Sequence, residues 1–491
     1  MTWEWRRQDK ATVLDCLKEG QYEAIMTSAQ GPLDGLAHVA VEMGVLDAAV
    51  QKFKVKRKRN GIYDHLFFRT IPVLPFIEAD SLRGATEALF KDASILLQLG
   101  YTAVQIREGF NDRYHNEQGV KSEESLPYHP ETLREEMKRI TVESVAAFRH
   151  QHIRDLFQRR LVLGTTYAID GSGLGDKWRL VVLLNVHAER PLVVNWRLLP
   201  ATASEKGKEI TVVREMIDEV REIAGSQAIA WLLMDALYAD GPALAILKYH
   251  YGIDAMVRCP EDREIFVDMQ GIVAQEPDRW ETHSDVRYVA GQKQQRTVST
   301  AAVEELTTWD SFRAKAQELG VKDAKLWGCL IHDRPAGSDQ DSEDWSLVST
   351  RPFATGWKGY KHWRQRWCVE NNCFREFKEG WKLEKTRWGR SLNVIAVRCA
   401  VTCSALNVAQ VAKSKAGERL LHTGIRRLRR EMAREYGPAP VIVYAGDCYA
   451  VFHIEEIMQA LGRPPAESLR PALLAENVPR RQPRPYIFRS D

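Results

Sequence analysis

Residues 161–258 carry the pattern that most restricts the fold of this chain. Three strand-like segments come first, at 163–170, 178–186 and 192–199. A helix-like segment with apolar residues three and four apart begins at Ser204. A strand-like run up to Asp235, a short helix to about residue 250 and a strand at 253–258 complete the pattern. Strands that alternate with helices in this way predict an α/β fold.

The rest of the chain has a different pattern of strand-like and helix-like segments. Residues 260–350 contain a helix near 309–319 and turn-rich strand candidates at 286–290, 296–300, 325–331 and 344–349. Both ends of the chain look helical. The length favours roughly two to four domains. We predict five segments: a helical region (1–160), the first part of an α/β core (161–259), an inserted mostly-β subdomain (260–350), the second part of the core (351–412) and a helical C-terminal region with a Pro/Arg-rich tail (413–491).

Acidic residues stand at the ends of two strand-like runs. Asp170 follows the apolar run 165–169, and Asp235 follows the apolar run 228–234. A third acid, Glu370, lies in a later helix-like stretch. This order is typical of an RNase H-like core, in which three carboxylates hold two divalent metal ions for phosphodiester chemistry. An isolated aspartate after a strand is more often a turn or helix-capping residue, and that alternative stays open for each aspartate alone.

Residues 357–390 combine positive charge with large aromatic side chains. The stretch contains Trp357, Trp363, Trp367, Trp381 and Trp388. Its lysines and arginines, which outnumber its glutamates, are Lys358, Lys361, Arg364, Arg366, Arg375, Lys378, Lys382, Lys385, Arg387 and Arg390. Such a mixture suits nucleic acid, because the charges follow phosphates and the rings stack on bases. The alternative is an ion pair between Arg366 and Glu370, one helical turn apart, with the tryptophans packed in a core.

Three motifs resemble those of bacterial insertion-sequence transposases of the DDE, cut-and-paste group. The segment 363–370, followed by Lys378, is similar to the Tyr-Arg-Glu-Lys motif around the catalytic glutamate of that family. The segments 167–172 and 234–241 resemble its first and second acidic motifs. The motifs occur in the family's order, and the resemblance covers about 161–412.

The chain departs from the family's glutamate motif at two positions. Trp363 stands where the family has tyrosine. Phe377 stands where the family has lysine, with Lys378 one residue later. On an ideal helix Lys378 lies roughly 80° around the axis from Glu370. A lysine side chain can still reach a phosphate from there.

The resemblance implies a transposase that acts on double-stranded DNA, at transposon ends and at a target site. The catalytic residues, and the ligands of two Mg²⁺ (or Mn²⁺) ions, would be Asp170, Asp235 and Glu370. Contacts to DNA would come from Trp363, Arg364, Arg366 and Lys378. The helical region 1–160 would bind DNA, the β insertion would grip the transposon end, and the protein would act as a homodimer on DNA.

Three alternatives stay open. The first is a nuclease of the same fold that hydrolyses DNA without joining strands. The second is a catalytically inactive DNA-binding protein derived from a transposase. The third is a metal-dependent phosphohydrolase of small molecules, which the aromatic and basic stretch at 357–390 disfavours.

Two features of the N-terminal region have both a nucleic-acid and a structural explanation. Residues 52–59 are mostly basic and suit phosphate contact, or form a solvated surface. A helix over Ala85–Leu99, broken at Gly100 and followed by a helix capped by Thr102, has the outline of a helix-turn-helix DNA reader. An ordinary helical hairpin gives the same pattern.

The remaining composition predicts a cytoplasmic protein, bound to the nucleoid when it is on DNA. The N-terminus is polar, and no uninterrupted apolar run reaches the length of a membrane span, so no membrane partner is expected. The net charge of +3 says little about partners. The eight cysteines include no CxxC pair, and Cys399 and Cys403 are predicted to be buried apolar residues rather than zinc ligands.

Overall fold

A computed structural model describes residues 7–462, except for 28–32, 56–61, 78, 103–104, 107–108, 111–126, 202–205, 290–291, 338–342, 385–387, 417, 422 and 437–440. Several predicted features lie partly or wholly outside these residues: the basic run 52–59 beyond residue 55, Lys385, Arg387 and the Pro/Arg-rich tail. The chain forms two compact units. One is Leu156–Arg375, and the other combines Met1–Asp155 with Glu376–Asp491.

The described residues form thirteen strands. In chain order they are β1 (Arg7–Gln8), β2 (Ala24–Thr27), β3 (Thr166–Leu174), β4 (Trp178–Asn185), β5 (Leu192–Pro200), β6 (Trp231–Met234), β7 (Asp254–Cys259), β8 (Trp280–Val289), β9 (Gln292–Leu306), β10 (Leu326–Pro335), β11 (Glu343–Ser349), β12 (Val441–Ala445) and β13 (Cys448–Phe452). They make a mixed nine-stranded sheet and a separate four-stranded sheet, so the protein is of mixed α/β class.

The nine-stranded sheet lies in the unit Leu156–Arg375, with the order β5-β4-β3-β6-β7-β11-β10-β9-β8. Strands β3, β4 and β5 are antiparallel, whereas β6 runs parallel to β3 and β7 runs parallel to β6. The helices of this unit are Lys206–Ala224, Gly241–Ala245, Glu264–Gln275, Asp310–Glu318, Gly356–Arg364 and Trp367–Val369. The predicted running order of strands and helices between 161 and 259 is confirmed.

The strands of the predicted β insertion extend the same sheet. Strand β11 pairs antiparallel with β7, from Ser346 opposite Cys259 to Ser349 opposite Met256. Strands β10, β9 and β8 then follow as consecutive antiparallel neighbours. The expected β-rich content of 260–350 is therefore present, but its strands do not form a separate sheet.

The strand that carries Asp170 is longer than predicted. Its pairing with β4 continues through Leu174, which lies opposite Trp178. The two strands are joined by a tight turn in which Gly175 has a φ of +60°, a conformation that favours glycine. Asp170 is consequently inside β3 rather than at its end, because Gly171–Leu174 continue the hydrogen-bonded ladder.

The second unit contains a four-stranded sheet with the order β1-β13-β12-β2. Strands near the two ends of the chain meet in it: Arg7 is opposite Cys448, and Met26 is opposite Ile442. The prediction of purely helical terminal regions missed these strands. They are only two to five residues long, and their partners are remote in sequence.

Helices make up most of the described residues of this second unit. They are Lys10–Lys18, Leu33–Glu42, Val45–Lys52, Asp64–Val73, Leu82–Phe90, Ala93–Gln98, Pro130–Arg139, Leu392–Ala416, Glu418–Leu421, Ile425–Tyr436 and Ile454–Ala460, with Val142–Gln158 running across the boundary between the units. The single helix predicted over Ala85–Leu99 is two helices, because Asp92 caps a new one by accepting a hydrogen bond from the backbone N of Ile95 at 3.2 Å. The second helix of the proposed DNA reader falls mainly on residues outside the described part.

The long helix Leu392–Ala416 is the core helix of its unit. Within the described residues, Leu392–Lys415 is the one helical segment long and apolar enough to cross a membrane. The apolar part of this segment is wholly buried inside the protein, which is consistent with a soluble protein. Cys399 and Cys403 are buried free cysteines on this helix, as predicted.

Candidate active site

Neighbouring parallel strands bring Asp170 and Asp235 together. Ala168 of β3 is opposite Leu233 of β6 in the parallel ladder. Two residues further along each strand stand Asp170 and Asp235, the latter directly after the end of β6. Adjacent strands are only about 4.8 Å apart, so these aspartates lie at the same level of the sheet.

Arg366 links the first aspartate to the glutamate. Its Nη1 donates to Asp170 Oδ2 at 2.9 Å, and its Nη2 donates to Glu370 Oε1 at 2.7 Å. Arg366 is only 3% exposed, whereas Glu370 lies at the surface. The i,i+4 ion pair between Arg366 and Glu370, the alternative interpretation of this stretch, is therefore present, and the arginine extends it to Asp170 on the sheet.

The pKa of Asp170 depends on its burial and on the charged groups around it, including the other two predicted acids. Burial, the largest cause, raises the pKa of Asp170 to about 6. The positive charge of Arg366 and a hydrogen bond from the backbone N of Gly171, at 2.8 Å, lower it, while the negative charges of Asp235 and Glu370 raise it further. Asp170 is thus a partly buried carboxyl group within electrostatic reach of the other two acids.

Trp363 holds the helix Gly356–Arg364 against the sheet beside Asp235. The indole Nε1 donates to the carbonyl oxygen of Met234 at 2.9 Å. The ring is 2% exposed, packs against Trp345 and lies under the Arg366 guanidinium. A side chain buried in this way is not available to stack on a base, so the structure gives Trp363 a positioning role in place of the expected contact with DNA.

Arg364 is tied to the β8 strand through Asp285. Its Nη1 is bonded to Asp285 Oδ2, which also accepts from the Tyr360 hydroxyl at 3.0 Å. Lys361 Nζ lies 3.2 Å from Asp285 Oδ1. Asp285 therefore anchors one face of the helix Gly356–Arg364, and much of the Arg364 charge expected to bind phosphate is compensated inside the protein.

Lys378 belongs to the other compact unit. Its Nζ lies 2.9 Å from Glu384 Oε1, and its side chain is about half exposed. The backbone forms π-helical turns at Glu370–Phe374 and Glu376–Gly380. The angle of 80° between Glu370 and Lys378 therefore does not apply, because a π-turn winds the chain more slowly than an α-helix does.

A fourth acid, Glu209, was missed by the sequence analysis. It is fully buried in the helix Lys206–Ala224 and is ion-paired with Arg179 of β4. The Tyr238 hydroxyl donates to Glu209 Oε2 at 2.7 Å. Burial, followed by the charges of Glu209 and Asp170, raises the pKa of Tyr238 well above its ordinary value. Glu209, Arg179 and Tyr238 thus form a buried polar cluster beside the predicted acids.

Gly171 connects this cluster to Asp170. A Cβ atom at residue 171 would lie 2.8 Å from Arg179 Nε and 3.1 Å from Glu209 Oε2. Any side chain larger than hydrogen would therefore displace the ion pair. The motif Asp170-Gly171 is explained by this close approach of Arg179 and Glu209, together with the backbone hydrogen bond that Gly171 donates to Asp170.

Asp170, Asp235 and Glu370 offer carboxylate oxygens, but the Arg366 guanidinium lies between Asp170 and Glu370. Among the described residues, no group of three or more His, Cys, Asp and Glu side chains is arranged to hold a metal ion. Carboxylate oxygens are the ligands that Mg²⁺ prefers. Burial is the largest cause of the raised pKa of Asp170, and the negative charges of Asp235 and Glu370 add to it; a bound cation would offset those charges. Such an ion would compete with Arg366 for the oxygens of Asp170 and Glu370.

No protein-family model matches the chain, and no curated protein sequence matches it. Asp170, Asp235 and Glu370 supply negative charge, and Arg366 orients two of them. The buried Glu209 cluster supports the strand that carries the first acid.

Proposed function

We propose that the chain is a metal-dependent enzyme that cuts DNA and joins DNA strands, as a DDE transposase does. The observation that carries this proposal is the ion-pair bridge from Asp170 through Arg366 to Glu370, with Asp235 on the neighbouring strand. The ion pairs of Arg366 bring Asp170 and Glu370, which are remote in sequence, close together. The order of β3, β4, β5, helix, β6, helix and β7 supports an RNase H-like core.

Asp170, Asp235 and Glu370 would hold Mg²⁺ or Mn²⁺, with two ions per site. When bound, such ions activate the attacking oxygen and stabilise the leaving oxygen of a phosphodiester. Arg366 orients the Asp170 and Glu370 carboxylates before an ion binds. Asp170 must lose its proton to act as a ligand, and a pKa of about 6 leaves it mostly ionised above neutral pH.

Double-stranded DNA is the substrate that the charge of this region favours. Among the described residues of the stretch 357–390, the exposed basic residues are Lys358, Lys361, Arg375, Lys378 and Arg390. Lysine and arginine side chains at a surface can follow a phosphate backbone. We propose transposon ends and a target site as the DNA substrates, and a homodimer as the active species.

Strand transfer is the reaction that tests this proposal. A duplex carrying a pre-cleaved terminal repeat from the flanks of the gene is mixed with a target plasmid and Mg²⁺. The proposal predicts joined products with the wild type and none with Asp235→Asn. Nicking of the DNA without joined products would assign a nuclease of the same fold instead.

One observation favours a second candidate, an inactive DNA-binding protein. Arg366 forms ion pairs with oxygens of both Asp170 and Glu370. In a protein that no longer binds metal, these ion pairs would take the place of the ion. DNA binding without nicking in Mg²⁺ or Mn²⁺ would select this candidate. Binding of Mn²⁺ that depends on Asp170 would exclude it.

A further inference from the structure

A surface of three arginines lies on the helix Ile425–Tyr436. Ile425 and Leu428 point into the core of the unit and are each 1% exposed. Arg426, Arg427 and Arg430 are exposed. Residues three and four apart on a helix are neighbours, so Arg430 lies beside both of the others. We refer to Arg426, Arg427 and Arg430 as the arginine face.

The helix beneath the arginine face is held firmly at its start. The backbone N of Ile425 donates to Glu376 Oε2 at 2.9 Å, which caps the first turn. Arg429 lies over the Trp381 ring, and its Nη2 donates to the carbonyl oxygen of Pro75 at 3.0 Å. These contacts fix the helix, so the exposed arginines project from a rigid element.

The charge of the arginine face is poorly compensated within the protein. Arg426 Nη2 donates to the backbone oxygen of Glu379 at 2.6 Å, and Arg430 Nε donates to the backbone oxygen of Arg426 at 3.4 Å. In the part of the chain that the structure describes, neither of these arginines forms an ion pair with a carboxylate. Arg427 Nε is 3.9 Å from Glu431 Oε1, which is a long ion pair. Neutral carbonyl oxygens orient a guanidinium without cancelling its charge.

We propose that the arginine face binds the phosphate backbone of double-stranded DNA, at a site distinct from the catalytic carboxylates. The choice of partner rests on the proposed function. Guanidinium groups bind phosphate oxygens through two parallel hydrogen bonds, and less entropy is lost when the helix already orients them. The face comprises arginines alone, without an aromatic ring that could stack on a base. It therefore binds DNA regardless of sequence.

The salt dependence of DNA binding tests this site without any catalysis. The wild type and the triple variant Arg426→Gln, Arg427→Gln, Arg430→Gln are titrated onto a random-sequence duplex in EDTA at several NaCl concentrations. The logarithm of affinity falls linearly with the logarithm of salt concentration, with a slope of about 0.9 for each phosphate that the protein neutralises. The slope should become shallower by about 0.9 for each arginine of the face that neutralises a phosphate in the wild type.

Two further variants control for charge. The triple variant Lys177→Gln, Arg258→Gln, Lys415→Gln removes the same charge from exposed residues outside the regions predicted to bind DNA and should keep the wild-type slope. Replacing the arginine face by three lysines should keep most of the slope, because the charges remain. If the glutamine triple variant loses its cooperative thermal transition, Arg427→Gln alone replaces it, with an expected change of about 0.9.

The possible results separate this site from the proposed function. Equal slopes for the arginine-face variant and the charge control, with the wild type binding DNA, would overturn the arginine face alone. A shallower slope for the arginine-face variant, with a wild type that binds DNA but neither cuts nor joins it, would support the arginine face and contradict the proposed function. Failure of the wild type to bind any duplex DNA would overturn both. Binding of the wild type to anionic lipid vesicles but not to DNA would reject DNA as the partner.

Discussion

Arg366 forms a buried ion pair with Asp170, with its Nη1 2.9 Å from Asp170 Oδ2. The same guanidinium reaches Glu370 at 2.7 Å. The arginine thus connects β3, an interior strand of the sheet, to a residue at the start of a π-helical turn. Its positive charge partly opposes the effect of burial on Asp170.

Removing the charge of Arg366 should raise the pKa of Asp170 above about 6. The variant is Arg366→Gln, and the measurement is an NMR titration of the Asp170 side-chain carboxyl in metal-free protein. Arg364→Gln is the matched control, since Arg364 is close in sequence but bonded to Asp285. An unchanged Asp170 pKa in Arg366→Gln would show that the ion pair is not formed in solution.

The raised pKa of Asp170 predicts a pH-dependent cost to stability. Its pKa is about 6 in the folded protein against an ordinary value of 3.8, so the folded state binds the proton more tightly than the unfolded state. The free energy of unfolding should therefore fall by about 3 kcal/mol as the pH rises from below 3.8 to above 6. Asp170→Asn should remove this loss. Urea unfolding at pH 4 and pH 8 measures the effect, and an equal pH dependence in both proteins would contradict it.

Trp363→Phe should destabilise the protein without weakening DNA binding. The variant keeps an aromatic ring but leaves the carbonyl oxygen of Met234 without the indole donor, which costs about 1–3 kcal/mol. Urea unfolding gives the free energy, and DNA binding in EDTA gives the affinity. Stability equal to the wild type together with a large loss of DNA affinity would restore the expectation that Trp363 contacts DNA.

The Glu209→Gln protein should have a lower free energy of unfolding than the wild type and should cleave less DNA. The substitution leaves Arg179 partly buried without its carboxylate partner, which costs about 3–5 kcal/mol. The exposed Glu215→Gln on the same helix is the control and should behave as the wild type does. Urea unfolding and a cleavage assay run on the same samples check this prediction. A Glu209→Gln protein as stable as the control would mean that the Arg179 ion pair contributes nothing.

The sequence was most informative where local patterns determine position. The strand-like runs before Asp170 and Asp235 predicted that two acids would meet, and parallel pairing of β3 with β6 places them side by side. The four-residue spacing of Arg366 and Glu370 gave their ion pair as an alternative to contact with DNA, and the structure contains that pair. Each of these relationships depends on a short segment, or on neighbouring parallel strands.

Relationships between remote residues could not be predicted in this way. Glu209 meets Arg179 and Tyr238 only after the helix packs on the sheet, and one glutamate in an amphipathic helix gives no signal of burial. The short strand β1 pairs with a strand more than 400 residues later. Whether Trp363 faces DNA or the core also depends on packing, because tryptophan is common in both places.

Cleavage of DNA in Mg²⁺ tests the central claim most directly. The substrate is a duplex with the terminal repeats that flank the gene. The proteins are the wild type, Glu370→Gln and the control Glu304→Gln, whose residue is exposed in the same unit. We predict site-specific cutting by the wild type and the control. Glu370→Gln should bind the same DNA without cutting it. Binding by all three proteins with cutting by none, or undiminished cutting by Glu370→Gln, would contradict the assignment of Glu370 as a catalytic residue.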